Sequence, residues 1–418
     1  MTAPDQAPAP LLRQREFLKL WAGQTISVFG DAITLLALPL VAVLALDASA
    51  AQMGFLTAAG LAPHLLLSLP AGAWIDRRAR RRRILVAADL GRAALLAWIP
   101  LAWWLGILTL TQLFAVAFLV GVLTVFFDLA YSSLFVLVVP RRDVVEANSK
   151  LSLSRSASWM GGQPLAGGLV QVLGAPLTVL ADAFSFLASA FFVARIRVDE
   201  MPLPHDGERL RRRLADGFRF VFRHPILRAN LGCAATINLF NFAFFAIFVL
   251  YATEELGLAP GLLGAVLGAG AVGSAVGAAV APRVERWIGP GRTYLIGAVL
   301  FPAPLLLVPL AGGPLWLVAV ALFVAEFLSG IGVMLFDVTS MSVSMLLTPQ
   351  RIRARAAGTH RFVNYGIRPI GALLGGGLGS AIGLRPTLWI TTAGALLGVV
   401  WLLFSPVPGL RHLPEEAQ

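Results

Sequence analysis

Charge is scarce in this chain. Of 418 residues only 13% are Asp, Glu, Lys or Arg, while 58% are hydrophobic. Mean hydropathy is +0.80. A soluble domain carries about 25% charged residues, so this surface suits lipid and not water. Cysteine is nearly absent: Cys233 stands alone, in an apolar run. One thiol excludes an intramolecular disulfide and a thiolate metal cage. The five histidines (His64, His205, His224, His360 and His412) fall at no metal-ligand spacing, so neither a metal nor another cofactor is expected. A phosphate-cradling loop of the form G-x-x-x-x-G-K-[ST] is missing, so ATP is not the expected energy source. No nucleophile–base constellation is found, which disfavours a membrane enzyme; a non-transporting sensor is the other disfavoured alternative. The 33 Lys+Arg exceed the 22 Asp+Glu by 11, but they sit between apolar runs. They read as membrane-anchoring charge and not as a nucleic-acid surface.

What the chain has is long apolar runs. A membrane-spanning helix needs roughly 20 largely apolar residues, and such runs occupy about 18–46, 53–75, 84–105, 112–139, 151–173, 177–194, 230–252, 261–281, 294–311, 315–347, 357–382 and 387–405. The expectation is an all-α membrane protein of twelve transmembrane helices. The first run is too long for the apolar region of a signal peptide. The organisation expected is an N-terminal tail (1–17), a six-helix half (18–194), a linker (195–228), a second six-helix half (229–405) and a C-terminal tail (406–418). Charge placement supports the count. With the N-terminus inside, the cytoplasmic connections hold Arg77–Arg83, Arg141/Arg142, Arg195–Arg228, Arg283–Arg292 and Arg351–Arg355, whereas Arg385 is the sole basic residue in the opposite ones. The positive-inside rule then places both termini in the cytoplasm of a multi-pass inner-membrane protein.

The chain also repeats itself. The fourth run ends VFFDLAYSSLFVLVVPRR and the tenth MLFDVTSMSVSMLLTPQR; Asp128 and Asp337, like Pro140 and Pro349, lie 209 positions apart. A basic residue follows each, Arg155 or Arg361, then Pro164 with Gly167 and Gly168, or Pro369 with Gly371. The shift spans an even number of runs, so the halves are parallel repeats about an axis along the membrane normal.

The segment Gly72-Ala-Trp-Ile-Asp76-Arg77-Arg78-Ala-Arg80-Arg81 resembles the G-x-x-x-D-R-x-G-R-R pattern of the major facilitator superfamily, with Ala79 replacing its second glycine. Pro164-x-x-Gly167-Gly168 resembles the exporters' G-P-x-x-G-G motif, with Gln163 replacing the first glycine; Leu119-Val120-Gly121 stands where many drug exporters carry an arginine motif. Gln24–Asp31, Asp182–Phe186 and Gly217–Pro225 resemble the branch of enterobactin exporters and macrolide efflux pumps. The resemblance implies two pseudo-symmetric six-helix bundles with the first, fourth, seventh and tenth spans around a central cavity.

An ionisable side chain at the bilayer centre costs at least about 2.5–3.5 kcal/mol and persists where it meets a cavity or a partner. Asp31, Asp128, Asp337 and Glu326 lie at such depth, and the seventh run offers Asn238 and Asn241. Burial disfavours a charged carboxylate, so these acids are candidates for proton coupling or substrate binding, with Arg155 and Arg361. The competing use is structural: Asp128 pairing with Arg155, and Asp337 with Arg361. Glu326 and Asp337, eleven positions apart, are expected on one helix face. Gly72, Asp76 and Arg77 are expected to form a gate; Asp89 and Arg92, three apart, support it or simply pair with each other. Arg80–Arg83 need no role beyond positive-inside charge. Pro164, Gly167 and Gly168 are expected to bend and pack the fifth span, and Gly264–Gly277 to pack the eighth.

Together these features imply a secondary transporter: proton-coupled antiport exporting amphipathic small molecules, drug-like or siderophore, by alternating access. Proton-coupled uptake or lipid transport is the alternative. The expected partners are membrane lipids, protons and a small-molecule substrate, with the chain acting as a monomer.

Overall fold

The structure, a computed structural model, describes residues 11–76, 80–198, 200 and 210–410. It is helical throughout these residues. The first part contains α1 (Arg15–Leu46), α2 (Ala50–Asp76), α3 (Arg81–Trp104), α4 (Leu110–Val138), α5 (Val144–Leu173) and α6 (Ala175–Ala194). A short α7 (Leu210–Arg223) connects it to the second part: α8 (Pro225–Glu254), α9 (Pro260–Ile288), α10 (Pro290–Leu300), α11 (Leu307–Leu310), α12 (Leu315–Leu347), α13 (Gln350–Ile382), α14 (Leu384–Leu396) and α15 (Gly398–Leu403).

Ten of the described segments are long and apolar enough to cross a membrane, not the twelve expected. The two expected spans that fall outside this set are α5 and α13. Both are long, 30 and 33 residues, but their first halves carry Lys150 and Arg155, or Arg351, Arg353, Arg355 and Arg361. Each begins about seven residues before its apolar run, because an α-helix continues through polar residues wherever lipid does not surround it. The expected ninth span is broken near Pro302 and Pro304 into α10, a 3₁₀ turn and α11. A proline removes one backbone donor and crowds the preceding turn.

The packing follows the repeat. α1 lies against α5 and α6, and α8 against α13 and α14; α2 packs on α4, and α9 on α12. The turns repeat as well. Gly174 and Gly383, 209 positions apart, both adopt positive φ (85° and 91°) and open α6 and α14. Only glycine enters that backbone region without strain. Thr178 and Thr387, again 209 apart, each donate a hydroxyl hydrogen bond back to that glycine's carbonyl, at 2.9 and 2.7 Å.

The two parts meet along two seams, α2 with α13 and α5 with α9. Each is a backbone-on-backbone crossing. A Cβ on Gly54 would lie 2.7 Å from the Cα of Gly376, and one on Gly264 would lie 2.9 Å from the Cα of Gly167. Side chains cap both crossings: Ala51 N donates to Ser380 Oγ (2.9 Å) and Gly261 N to Gln171 Oε1 (3.2 Å). These residues correspond under the repeat, with offsets of 209 or 210. Both seams lie toward the end of the bundle away from the chain termini, here called the distal end. Arg385, the basic residue that sequence left on this side, is held there by the carbonyls of Pro309 (2.7 Å) and Ala311 (2.8 Å).

At the terminal end α7 docks on α13. Val221 is buried beside Leu227, Leu231 and Ala356, Phe218 meets Phe362 edge-on at 6.2 Å, and Asp216 pairs with Arg355 at 2.9 Å. The linker is therefore attached to the second part over this stretch.

Close helix approach at the seams admits no larger residue without a shift. Gly54→Leu and Gly264→Leu should each cost about 1–3 kcal/mol through overpacking and spread the distal end. Spin labels across either seam on a Cys233→Ser background, which removes the one native thiol, should report a longer distance. An unchanged distance and an unchanged melting temperature would mean that the seams are loosely packed.

Candidate functional site

The three aspartates expected at membrane depth are all exposed, although each lies well inside a long apolar helix. Asp31 is on α1, Asp128 on α4 and Asp337 on α12. The glycine crossings lie distal to them, and Arg155 and Arg361 are exposed on the terminal side. Asn238 and Asn241 of α8 are half-buried. Asn238 donates to the carbonyl of Ala234 (2.9 Å) and to Asn364 Oδ1 on α13 (3.2 Å). Asn241 lines a small pocket with Phe240, Phe244 and Phe301. A second pocket, of about 20 Å³, lies among Gln24, Tyr131, Ser154 and Arg155. It has room for about one water and none for a drug-sized molecule.

Neither sequence-expected ion pair forms. Asp128, whose side chain is 61% exposed, lies 3.9 Å from His64 Nε2 of α2, not against Arg155. Asp337 has Arg368 of α13, not Arg361, as its charged neighbour. The reason is packing order. α4 rests on α2 and α3 while α5 rests on α1 and α9, so α4 and α5, though consecutive in sequence, do not pack against each other. Arg368 lies over the rings of Tyr365 (4.4 Å) and Phe242 (4.9 Å). Tyr365 in turn stacks on His64 at 5.5 Å. Asp128, His64, Tyr365, Arg368 and Asp337 thus form a polar chain from one part to the other.

Glu326 and Asp337 do not share an environment, despite their helical spacing. Glu326 is 6% exposed, its Oε1 has no hydrogen-bond partner, and it lies against Gly270 of α9. At that level α9 crosses α12 closely and takes the space that stays open around Asp337.

The expected gating residues separate. Gly72 has ordinary room, its nearest neighbour being Leu129. Asp76 ends α2; its side chain and all of Arg77 lie outside the described residues. Asp89 and Arg92 do pair, but in the interior: their side chains are 0% and 1% exposed. The guanidinium is sandwiched between Phe127 (4.4 Å) and Phe186 (4.0 Å). Asp182 of α6, which sequence brought in only as part of a resembled segment, is 1% exposed and accepts a hydrogen bond from Ser185 (2.8 Å). Arg81 is also more than anchoring charge, being fully buried. The amides of Arg81 and Arg82 donate to the Glu200 carboxylate, and Arg82 Nη1 donates to the carbonyl of Ile196 (2.6 Å). A carboxylate at this helix start offsets its unpaired N–H groups.

Pro164 lies inside α5, which continues through it. Its ring meets Gly268 of α9, Gly167 forms the seam, and Gly168 has open space around it. Sequence reasoning passed over His64, Asp182 and Arg368. For Asp182 and Arg368 the signal was there: an ionisable residue inside an apolar run carries the same desolvation cost as Asp31. His64 carried no such signal, because only the fold brings it to Asp128.

Removing one member of a buried ion pair leaves the other uncompensated and costs about 3–5 kcal/mol. Arg92→Ala should therefore unfold well below the wild type in detergent melts, and Arg92→Met with Asp89→Leu should regain most of the loss. A double variant no more stable than Arg92→Ala would show that lost packing, not stranded charge, sets the cost.

The sequence profile of the family described as "Transmembrane secretion effector" matches residues 6–417. "Multidrug efflux pump Tap" of Mycolicibacterium fortuitum is 27% identical over 396 residues, covering 92% of this chain and 93% of that one. The pump of the same name from Mycobacterium tuberculosis (strain ATCC 25618 / H37Rv) is 27% identical over 420 residues, covering 96% and 95%. Among solved structures, the nucleoside transporter NupG superposes with a TM-score of 0.74 at 13% identity, over 93% of this chain and 98% of that one. A bacterial homologue of the iron transporter ferroportin gives 0.73 in its inward-facing state, at 19% identity over 94% and 99%. In its outward-facing state it gives 0.59, at 18% identity over 93% and 98%. Through a match that runs almost from end to end, the chain belongs to the transmembrane secretion effector family, and it is a membrane transporter of the major facilitator, alternating-access fold.

Proposed function

We propose that this protein exports amphipathic small molecules from the cytoplasm in exchange for protons. The observation that carries this reading is the presence of exposed carboxylates, Asp31, Asp128 and Asp337, well inside three different long apolar helices. Lipid would not tolerate them there, whereas a wet cavity does. The efflux function named for the relatives supports a drug-like substrate. The half-buried Asn241 and its neighbouring phenylalanines offer the mixed polar and aromatic wall such a molecule needs.

Counting α5 and α13 as spans gives twelve, in two bundles of six: 18–194 and 229–405, with 195–228 between them. The polar first halves of α5 and α13 line the open space, which is why apolarity alone does not select them. Positive-inside charge places the terminal end, and both termini, in the cytoplasm. Seams closed at the distal end then describe a cavity open to the cytoplasm, in keeping with the better superposition on the inward-facing ferroportin homologue. One chain supplies both bundles, so a monomer suffices.

In the cycle, a substrate enters from the cytoplasm or inner leaflet and rests between the bundles. The halves rock, the glycine seams part, and the substrate leaves on the outside. A proton taken up there by the cavity carboxylates returns the carrier. Asp31 is the leading proton carrier, with Asp128 and Asp337 on the substrate side. Glu326, Asn238, Asn241, Arg155 and Arg361 are supporting candidates. Gly72, Asp76 and Arg77 are the proposed cytoplasmic gate, and Asp89 and Arg92 brace the first bundle behind it.

Inverted vesicles test this reading. Accumulation of a fluorescent cationic drug should require an inside-acid proton gradient and collapse with a protonophore. Asp31→Asn should remove it while surface expression is retained. Gradient-independent accumulation would sink the coupling, and full activity in Asp31→Asn, Asp128→Asn and Asp337→Asn alike would sink the site.

A further inference from the structure

The first bundle holds an unbalanced set of charges. Asp31 of α1, Asp89 of α3 and Asp182 of α6 gather around one guanidinium, that of Arg92. Asp182, Arg92, Asp128 and Asp89 are within electrostatic reach of Asp31. Within reach of Asp182 are Arg92 and Asp89, beside the hydroxyls of Ser185 and Thr34. Arg92 is committed: it donates to Asp89 and is enclosed by the Phe127 and Phe186 rings. Asp128 lies toward His64 on the cavity side. Asp31 and Asp182 are therefore left without a cation of their own.

Geometry brings this pair together. Gly30, the residue before Asp31, has no room for a Cβ, because the carboxylate of Asp182 and the hydroxyl of Ser185 occupy that position. Asp31 is open to the cavity and Asp182 is closed off behind α1. The cluster also has unused hydrogen-bonding capacity. Arg92 Nε is buried without a hydrogen-bond partner, and Asp89, Arg92 and Ser189 are all at most 1% exposed. Two carboxylates sharing one site do not both ionise cheaply, and they titrate as a pair. Adding one proton removes the repulsion between them.

We propose that Asp31 and Asp182 form a single proton-binding site, with one proton shared between the two carboxyl groups. The proton enters from the cavity on Asp31 and is held against Asp182. Arg92, pinned by Asp89, is a positioning residue that keeps the pair at one net negative charge when loaded. Resting on the reading that the coupling ion is a proton, the site replaces a lone Asp31 with a dyad. Its two members lie on α1 and α6, which pack together, so loading the proton is felt at that helix contact.

Infrared titration of the purified full-length protein in nanodiscs, without substrate, tests the pair. A protonated-carboxyl stretch should appear on acidification and be lost as the pH is raised. Asp31→Asn and Asp182→Asn should each abolish that band, whereas Asp128→Asn and Asp337→Asn should leave it. A band that survives Asp182→Asn overturns the pair. Ser185→Ala keeps both carboxylates and removes the hydroxyl that orients Asp182. It should move the midpoint without removing the band, and an unmoved midpoint would also count against the pair. The outcome separates from the transport question. A band needing both aspartates in a gradient-indifferent exporter keeps the site and discards the coupling. Proton-driven export with a band needing Asp31 alone does the reverse.

Discussion

An ionised side chain in hydrocarbon is expensive, and that constraint organises this structure. The chain spends few charges and places them where a cavity, a partner or the headgroup layer receives them. In the first part, Asp89 and Arg92 satisfy each other between two aromatic rings. Asp128 and Asp337 are exposed within long apolar helices, the first beside His64. Arg385 ties the carbonyls of the distal end. At the terminal end Lys19, Glu16 and the backbone at Arg195 and Arg197 connect the start of α1 to the end of α6.

The two parts share a packing scheme but differ in chemistry. Where the first has a buried acid–base cluster, the second has a neutral one. Asn230 of α8 accepts from the Tyr294 hydroxyl and from Ser340 (2.7 Å) and donates to Ser344 (2.6 Å). A satisfied neutral network gives rigidity without a titrating group. Duplication thus fixed the scaffold and the seams, and divergence placed the buried acid–base cluster in the first half. Two halves that rock as rigid units need firm interiors and a contact that can part. Backbone crossings at Gly54/Gly376 and Gly167/Gly264 suit the second need, because they interlock few side chains.

Much of this was legible in the sequence. Hydropathy marked the helices, and a constant offset from Asp128 to Asp337 predicted the repeat that later reappeared in Gly174/Gly383 and Thr178/Thr387. Side-chain partners were not legible. The Asp128–Arg155 expectation failed because sequence neighbours α4 and α5 are not packed together. Helical spacing grouped Glu326 with Asp337, yet a glycine on another helix buries one and leaves the other open. The seam glycines gave no hint of their partners, which lie 322 positions away for Gly54 and 97 for Gly167. Asp182 and Arg368 were visible in principle, since the cost of burial applies to them as it does to Asp31.

The central claim is that substrate and proton exclude each other at the cavity carboxylates. Proton release on substrate binding measures this directly: a cationic drug is added to purified protein in weak buffer with a pH-sensitive dye. The account predicts release of protons by the wild type and none by Asp31→Asn. Saturable drug binding with no proton released by the wild type would contradict it.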